Sequence, residues 1–396
     1  MLELLLAFAV GILVGIVFGL VPGLHPNLII VFIPFFTFVN PLATVVFIVS
    51  LGISNVISDF IPSILLGAPE EGTELAVLPG HRMLMFGHGY AAIKLSVIGA
   101  VGACIFLAVL LPALFTFMPL IFKLVVSYTH ILLIFVLAVM VLSEKYKYRV
   151  LLIAAMAAIV GIISNRLPLS NEFLLFPILA GMFGISHLLL QAKNRTILPK
   201  QTLFEPYIDE KSTASSVIKG SFAGIVSGFL PGVGSSQMAA FANSKEKGVG
   251  SSDEKYLITL GAITMANLFL SLLSLWLISR HRSGIAVAVA TVTQINFIST
   301  LTIITSVIAA TGITAIITLF IAKHFTEKLS SINYTLLNKV IIIFIVCLVF
   351  IFTQWIGLAL LAVCTCIGIY TNLSGVKRST MMAVLIVPTI LFYMGL

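Results

Sequence analysis

The chain has 396 residues, of which 60% are hydrophobic and 9% are charged, and its mean hydropathy is +1.19. Apolar runs long enough to cross a bilayer recur from end to end, as in residues 340–370. These runs have no alternating polar face, which excludes soluble α/β and β-sandwich folds. We therefore predict an all-α fold, that of a polytopic integral membrane protein.

The net charge of +8 is spread over short polar segments, which the positive-inside rule explains better than nucleic-acid binding. The basic segments are 143–149, 191–219, 322–339 and 372–379. We expect all four on the cytoplasmic face of the cell membrane, which places both termini outside. No nucleic-acid partner is expected.

The first apolar segment, residues 2–20, lacks a basic leader and a small-residue cleavage site, so we predict a helix that is retained. Gly11, Gly15 and Gly19 recur at intervals of four and form one smooth helical face. Such a face lets another helix backbone approach closely. The sequence Pro22-Gly23 then predicts a break in the helix, because proline removes a backbone donor and glycine tolerates unusual dihedrals.

A helix break inside hydrocarbon survives only where protein buries the freed amides or a polar cavity solvates them. The freed N–H groups and the positive end of the next half-helix favour an anion. The substrate-binding candidates in this half are Pro22, Gly23, Leu24, His25 and Asn27. The alternative is a re-entrant segment with no ligand.

Asp59 lies well inside the next apolar run. Acids within a membrane segment usually mark an ion or proton pathway, so Asp59 is the candidate for coupling transport to H⁺ or Na⁺. A cationic partner would instead make it structural. The run ends in an acidic tip with Glu70 and Glu71, and residues 78–94 follow as an unusually polar segment that either lines a cavity or forms a surface loop. That segment carries His81, Arg82, His88 and Lys94.

The second half repeats the first. Gly11, Gly15, Gly19, Pro22 and Gly23 recur 209 positions later as Gly220, Gly224, Gly228, Pro231 and Gly232. The apolar segments near 131–142, 150–163 and 172–190 likewise correspond to those near 340–353, 356–370 and 380–396. We predict membrane repeat 1 over 1–191, a cytoplasmic linker over 192–215 and membrane repeat 2 over 216–396.

A cytoplasmic linker after a first half that starts outside gives each half an odd number of crossings, so the two repeats are inverted. Inverted repeats with broken or re-entrant helices are typical of secondary transporters, whose substrate site lies between the copies. The matching substrate-binding candidates in the second half are Pro231, Gly232, Gly234, Ser235, Ser236 and Gln237.

Two further groups in the second half are candidates. Asn267 is the polar residue that we compare with Asp59, with either an ion-coupling role or a helix–helix hydrogen bond. Arg280 and Arg282 form a basic tip that either holds the negative groups of a substrate or pairs with the acidic tip of the first half.

The quoted stretches resemble the TctA family, the large membrane subunit of the tripartite tricarboxylate transporters. The resemblance rests on GIVFGLVPGLHP and SILLGAPEEGTELAVLPGHRM in the first half and on PGVGSS and MANLF in the second. His25, Pro79 and Leu268 depart from the family pattern, and the chain reads as a divergent, short member. The resemblance implies an inverted-repeat carrier of organic anions, usually supplied by an external binding protein.

The sequence therefore predicts a secondary active transporter of a carboxylate-class anion that works by alternating access, with coupling to H⁺ or Na⁺. No cofactor and no metal are expected, and the expected partners are the anion, membrane lipids and a second copy of the chain. One alternative is a polyprenyl-phosphate translocase, since a lipid phosphate suits the same Pro-Gly turns. An intramembrane enzyme is the other, although the chain has only three aspartates and no HExxH motif.

Overall fold

The computed structural model describes most of the chain. The described residues are 2–21, 38, 40–66, 77–126, 128–142, 144, 146–169, 171–193, 199–206, 209–229, 235–242, 251–278, 283–293, 296–329 and 334–395. Within these ranges the regular structure is helical throughout.

The helices follow the predicted apolar segments. In the first half they are α1 (Leu2–Leu20), α2 (Pro41–Ser58), α3 (Phe60–Leu65), α4 (Val77–Met85), α5 (Gly89–Val126), α6 (Thr129–Leu142), α7 (Lys147–Ser164), α8 (Asn171–Leu179), a π-helical turn (Ala180–Ile185) and α9 (Ser186–Lys193). In the second half they are α10 (Glu210–Phe229), α11 (Ser235–Ala242), α12 (Ser251–Leu277), α13 (Gly284–Val292), α14 (Phe297–Leu329), α15 (Tyr334–Leu373), a 3-10 turn (Arg378–Met382) and α16 (Ala383–Met394).

Local sequence signals set several helix boundaries. The side chain of Asn40 accepts a hydrogen bond from the amide of Leu42 at 2.9 Å and caps α2, with Pro41 at its first position. Gln354 has a φ of 51° and a ψ of −146°, which interrupts α15. The interruption separates the apolar segments near 340–353 and 356–370, as the sequence predicts.

Eight helices of the described residues are long and apolar enough to cross a membrane. Their bounds are Leu2–Leu20, Pro41–Leu65, Gly89–Lys123, Lys147–Ser164, Phe173–Leu190, Asp253–Leu277, Phe297–Lys328 and Asn338–Leu373. The predicted all-α, polytopic membrane fold is therefore confirmed.

The described helices form two bodies, each with its own apolar core and each drawn from both halves of the sequence. Body 1 contains α1–α5 and α10–α14, and its core runs from Ala7 to Ala322. Body 2 contains α6–α9, α15 and α16, and its core runs from Leu133 to Ile390. The chain thus passes from body 1 to body 2 once in each half.

The glycine faces of α1 and α10 make the close helix contacts that their spacing predicts. A methyl group built on Gly19 would lie 2.5 Å from the carbonyl oxygen of Asn55 in α2. A methyl group built on Gly224 would lie 2.5 Å from the Cβ of Ala266 in α12. Neither helix can carry a larger residue at these positions without moving away from its neighbour.

Body 2 is held together by contacts between the halves. The backbone of Gly161 in α7 lies against Val384 and Pro388 of α16, and Gly368 in α15 lies against the backbone of Met182 in the π-helical turn. Each half therefore places its last helix against helices of the other half. The pattern in body 1 is similar, since Gly99 of α5 and Gly261 of α12 lie against each other's helices.

The linker packs against the polar segment 78–94. In the linker, Gln201 accepts a hydrogen bond from the amide of Gly89 at 3.1 Å, and Glu205 pairs with Lys94. The ring of His88 stacks on Phe204 with the centroids 4.7 Å apart. The polar segment 78–94 is thus a helix and a turn on which the linker docks.

Two of the basic segments also meet each other. Lys377 Nζ lies 3.0 Å from Glu144 Oε1, and Arg149 Nη1 donates a hydrogen bond to the carbonyl oxygen of Ser374 at 3.1 Å. The described residues of segments 143–149 and 372–379 therefore lie beside each other.

Candidate functional site

Helices α2 and α12 lie deepest in body 1, and both carry buried polar side chains. The spans that contain them are 83% and 94% buried, against 33% to 50% for the other three spans of body 1. Polar groups enclosed in this way are expensive in a membrane protein, so they are candidates for a role in transport.

Asp59 lies where α2 ends and α3 begins. Asp59 is only 3% exposed, and its Oδ2 accepts a hydrogen bond from Ser63 Oγ at 3.1 Å. The backbone continues the helical path through this position, because the Asp59 amide donates to Asn55 at 2.9 Å. Asp59 is therefore an enclosed acid at a helix junction, which is the environment that the sequence predicts.

Asn267 lies on α12 where the third glycine of α10 approaches. A methyl group on Gly228 would lie 3.8 Å from Asn267 Oδ1. The same place in the first half belongs to Asn55, which faces Gly19. The packing thus matches Asn267 to Asn55 and not to Asp59.

The residue that corresponds to Asp59 by this packing is Ser271. Its hydroxyl donates a hydrogen bond to Ser283 Oγ at 2.8 Å, and Ser283 in turn caps α13 by accepting from the Ala286 amide at 3.2 Å. Ser271 therefore positions a short helix in the second half, at the place where the first half carries a carboxylate.

Most of the predicted substrate-binding residues, in the two Pro-Gly turns and the basic tip, lie outside the described residues. These are Pro22, Gly23, Leu24, His25, Asn27, Pro231, Gly232, Gly234, Arg280 and Arg282. Ser235 is described: it begins α11 and is 2% exposed. Ser236 and Gln237 follow it in the first turn of α11, and their side chains also lie outside the description.

Helix α11 reaches from body 1 to body 2. Ala239 belongs to the core of body 1, whereas Met238 packs against the cores of both bodies. Leu66, which follows α3, packs against body 1 and against the part of the body 2 core around the π-helical turn. Met238 and Leu66 therefore mark places where body 1 meets body 2, and we call this boundary the seam.

A buried basic cluster lies at the seam and consists of Arg378, His187 and His81. Arg378 is 6% exposed, and its Nη2 lies 2.7 Å from Nδ1 of His187. Its Nε donates a hydrogen bond to Asn372 Oδ1 at 2.8 Å. The His81 ring lies edge-on to the ring of His187 with the centroids 6.0 Å apart. His81 comes from α4 of body 1, and the other members come from body 2.

The electrostatics of the cluster leave one positive charge. Arginine is donor-only, so Nδ1 of His187 must accept the hydrogen bond and carries no proton. Burial lowers the pKa of His81, and the nearby charge of Arg378 lowers it further. At neutral pH the cluster therefore presents one guanidinium beside two neutral imidazoles. Among the described residues no group of three His, Cys, Asp or Glu side chains could hold a metal ion.

Sequence reasoning missed three of these residues. Asn55 has a signal, since Ser54-Asn55 and Ala266-Asn267 occupy matching places in the two halves. Arg378 reads only as one of the basic residues of a loop. His187 is a lone histidine in an apolar segment, and no local pattern links it to Arg378, which lies 191 residues away.

The fold defines a multi-pass helical membrane protein that encloses polar residues between two bodies. The chain belongs to the family described as the Tripartite tricarboxylate transporter TctA family, which it matches over residues 5–383. The predicted family is thereby confirmed. The chain is a member of a family of transporters and not of a family of enzymes.

The chain is also similar to an uncharacterized protein of Methanocaldococcus jannaschii. The two are 31% identical over 359 residues, which cover 88% of each chain. No solved structure matches the chain.

Proposed function

We propose that this chain is the membrane subunit of a secondary carrier that takes up a carboxylate-class organic anion by alternating access. The observation that carries the proposal is the family match, which spans residues 5–383 and so includes both halves. The membrane subunit of a tripartite system receives the anion from an external binding protein. We propose that this chain has such a partner as well. The carrier is placed in the cell membrane.

The packing supports two inverted repeats, 1–191 and 216–396, joined by the linker 192–215. Glycine-faced helices begin both halves and pack on the next long helix at matching residues. Within body 2, the last helices of each half pack against helices of the other half, as the contacts of Gly161 and Gly368 illustrate. Such exchange is expected of two copies related by a pseudo-two-fold axis. Relative motion of body 1 and body 2 would then open the seam to each side in turn.

We place the anion between the two Pro-Gly turns. Ser235 begins α11 directly after the second turn, and α11 packs at the seam. The amides of a half-helix N-terminus and its positive end suit a negative group. The site would combine Pro22, Gly23, Leu24, His25 and Asn27 with Pro231, Gly232, Gly234, Ser235, Ser236 and Gln237, and the basic tip of Arg280 and Arg282 would lie near it.

We assign ion coupling to Asp59, with Asn267 as a second contact. An inward Na⁺ or H⁺ offsets the charge of the anion, and each charge moved with the potential gains roughly 2.3 kcal/mol per 100 mV. The enclosure of Asp59 supports this role, since a carboxylate without solvent stabilises a bound cation strongly.

The contacts between the polar segments are consistent with one common side: they join the linker to segment 78–94 and segment 143–149 to segment 372–379. The linker docks on the turn before α5, and Lys377 pairs with Glu144. We propose that this side is cytoplasmic, with both termini outside, and that two copies of the chain form a homodimer.

Reconstituted vesicles test the function directly. Vesicles with the purified chain are given labelled citrate or succinate under an imposed Na⁺ or H⁺ gradient, and parallel vesicles are tested for movement of a polyprenyl phosphate between leaflets. The proposal expects accumulation of an organic acid that ends when the gradient is collapsed. Movement of the lipid phosphate without acid uptake would favour a translocase instead.

A further inference from the structure

We propose that Arg378, with His81 and His187 beside it, binds one carboxylate of the transported anion at the seam. The proposal rests on the carrier function proposed above and names a part of its site that lies outside the Pro-Gly turns. It follows from the burial of Arg378, from its unfilled hydrogen-bonding capacity and from its position between the two bodies.

Among the described residues no carboxylate pairs with the buried guanidinium of Arg378. Its two described acceptors are the amide oxygen of Asn372 at 2.8 Å and the imidazole of His187 at 2.7 Å, and both are neutral. Nη1 is buried and has no hydrogen-bond partner among the described residues. A buried cation with a free donor is strongly destabilising unless an anion completes its shell.

Other cations in the described part of the chain do meet carboxylates. Arg82 pairs with Asp253 through contacts of 2.8 and 3.0 Å, Lys94 pairs with Glu205, and Lys377 pairs with Glu144. These pairs have partly exposed members, where solvent would also stabilise the charge. Arg378 is more enclosed than any of them and has no carboxylate partner in the described ranges, so we assign that partner to a ligand.

The donors of Nη1 suit a carboxylate. A guanidinium can donate two parallel hydrogen bonds to one carboxylate, and Nη1 retains its donors for this purpose. A phosphate would be recognised by the same donors. The low exposure of Arg378, 6%, favours a small soluble anion over a lipid headgroup, which needs an opening for its chain.

The position of the cluster ties binding to the arrangement of the two bodies. His81 is carried by α4 of body 1, whereas Arg378 and His187 belong to body 2. Helix α11, which begins at Ser235 after the second Pro-Gly turn, contacts the turn that carries Arg378. An anion bound at Arg378 therefore lies where helices of both bodies meet, and it binds best when the seam is closed around it.

Equilibrium binding of labelled citrate to the purified, detergent-solubilised chain tests the proposal, with succinate and inorganic phosphate as competing probes. The variants are Arg378→Gln, which removes the charge, and Arg378→Lys, which keeps the charge but loses the paired N–H donors of the guanidinium. The matched control is Lys377→Gln, which removes the same charge from the adjacent, exposed residue. Monodispersity and the thermal midpoint establish that each variant is folded.

We expect Arg378→Gln to weaken citrate binding by roughly 10- to 100-fold, as for the loss of a hydrogen bond to a charged group. Arg378→Lys should weaken it by about tenfold, and Lys377→Gln should leave it within about twofold of the wild type. If Arg378→Gln does not fold, Arg378→Lys decides the matter.

Equal affinity in the wild type and the folded Arg378 variants would overturn the proposal while leaving the carrier function intact. Competition by phosphate but by neither acid would overturn the carboxylate assignment. Should the wild type neither bind nor transport any organic acid, the carrier function itself fails, and this assignment fails with it.

Discussion

Asn55 and Asn267 lie at matching places in the two halves, each beside the third glycine of a glycine-faced helix. A methyl group on Gly19 would lie 2.5 Å from the Asn55 carbonyl oxygen, and one on Gly228 would lie 3.8 Å from Asn267 Oδ1. The residues are 212 positions apart, close to the 209 that separate the glycines. The two halves are thus alike at this pair. They differ one helical turn later, where the first half has Asp59 and the second half has Ser271 at the corresponding position.

This difference predicts that ion coupling depends on the first half. We expect Asp59→Asn to remove the dependence of citrate uptake on the Na⁺ or H⁺ gradient, while exchange of labelled for unlabelled citrate continues. The control is Ser63→Ala, which removes the hydrogen bond to Asp59 and keeps the carboxylate. Because that neutral–charged hydrogen bond is worth about 1.5–3 kcal/mol at most, the control should keep gradient-driven uptake. Unchanged coupling in Asp59→Asn would exclude this residue as the ion site.

The glycine faces predict a stability difference between matched substitutions. Gly15→Ala should destabilise the protein by about 1–3 kcal/mol, because the added methyl group meets the backbone of Leu51 and must push α1 away from α2. Gly312→Ala is the control, since nothing lies within 4 Å of its added methyl group. Alanine is the better helix former by about 1 kcal/mol, so this variant should melt at or above the wild-type temperature. Thermal unfolding in detergent measures both, and equal midpoints would contradict the close packing.

The Pro-Gly turns predict a loss of transport without a loss of folding. We expect Gly23→Leu and Gly232→Leu to reduce citrate uptake to background, since a bulky side chain would fill the space where backbone amides meet the anion. Both variants should insert in the membrane and elute as the wild type does in gel filtration. Uptake at the wild-type rate in both variants would show that the turns are not part of the substrate site.

The proposed orientation predicts which side of the membrane each segment faces. In a variant with Cys104, Cys347, Cys364 and Cys366 replaced by alanine, a single cysteine is introduced as Leu203→Cys in the docked linker or as Arg166→Cys after α7. An impermeant thiol reagent added to intact cells should label only the second. Labelling of the linker cysteine from outside would reverse the topology.

The sequence alone predicted the parts of the structure that depend on local patterns. Apolar length gave the membrane helices, and the spacing of Gly11, Gly15 and Gly19 gave the face that packs on α2, because both follow from helical periodicity. The break at Gln354 fell between two predicted apolar segments.

The buried cluster could not be predicted from the sequence, because its members are brought together by contacts between distant segments. His187 and Arg378 are 191 residues apart, and the partner in body 1, His81, comes from a segment whose polar residues also suited a surface loop. The positive-inside rule explained Arg378 as a loop residue, and only its enclosure distinguishes it from Lys377 beside it. The exchange of helices in body 2 is likewise a tertiary feature that no local spacing encodes.

A structure determined by electron cryo-microscopy with citrate present tests most directly whether the anion binds between the two bodies. We expect density for citrate at the seam, with one carboxylate beside Arg378 and the ligand bordered by α11 and by the turn that precedes it. Density confined to the interior of one body, or side chains packed without a cavity between the two Pro-Gly turns, would contradict a carrier that moves its substrate along this boundary.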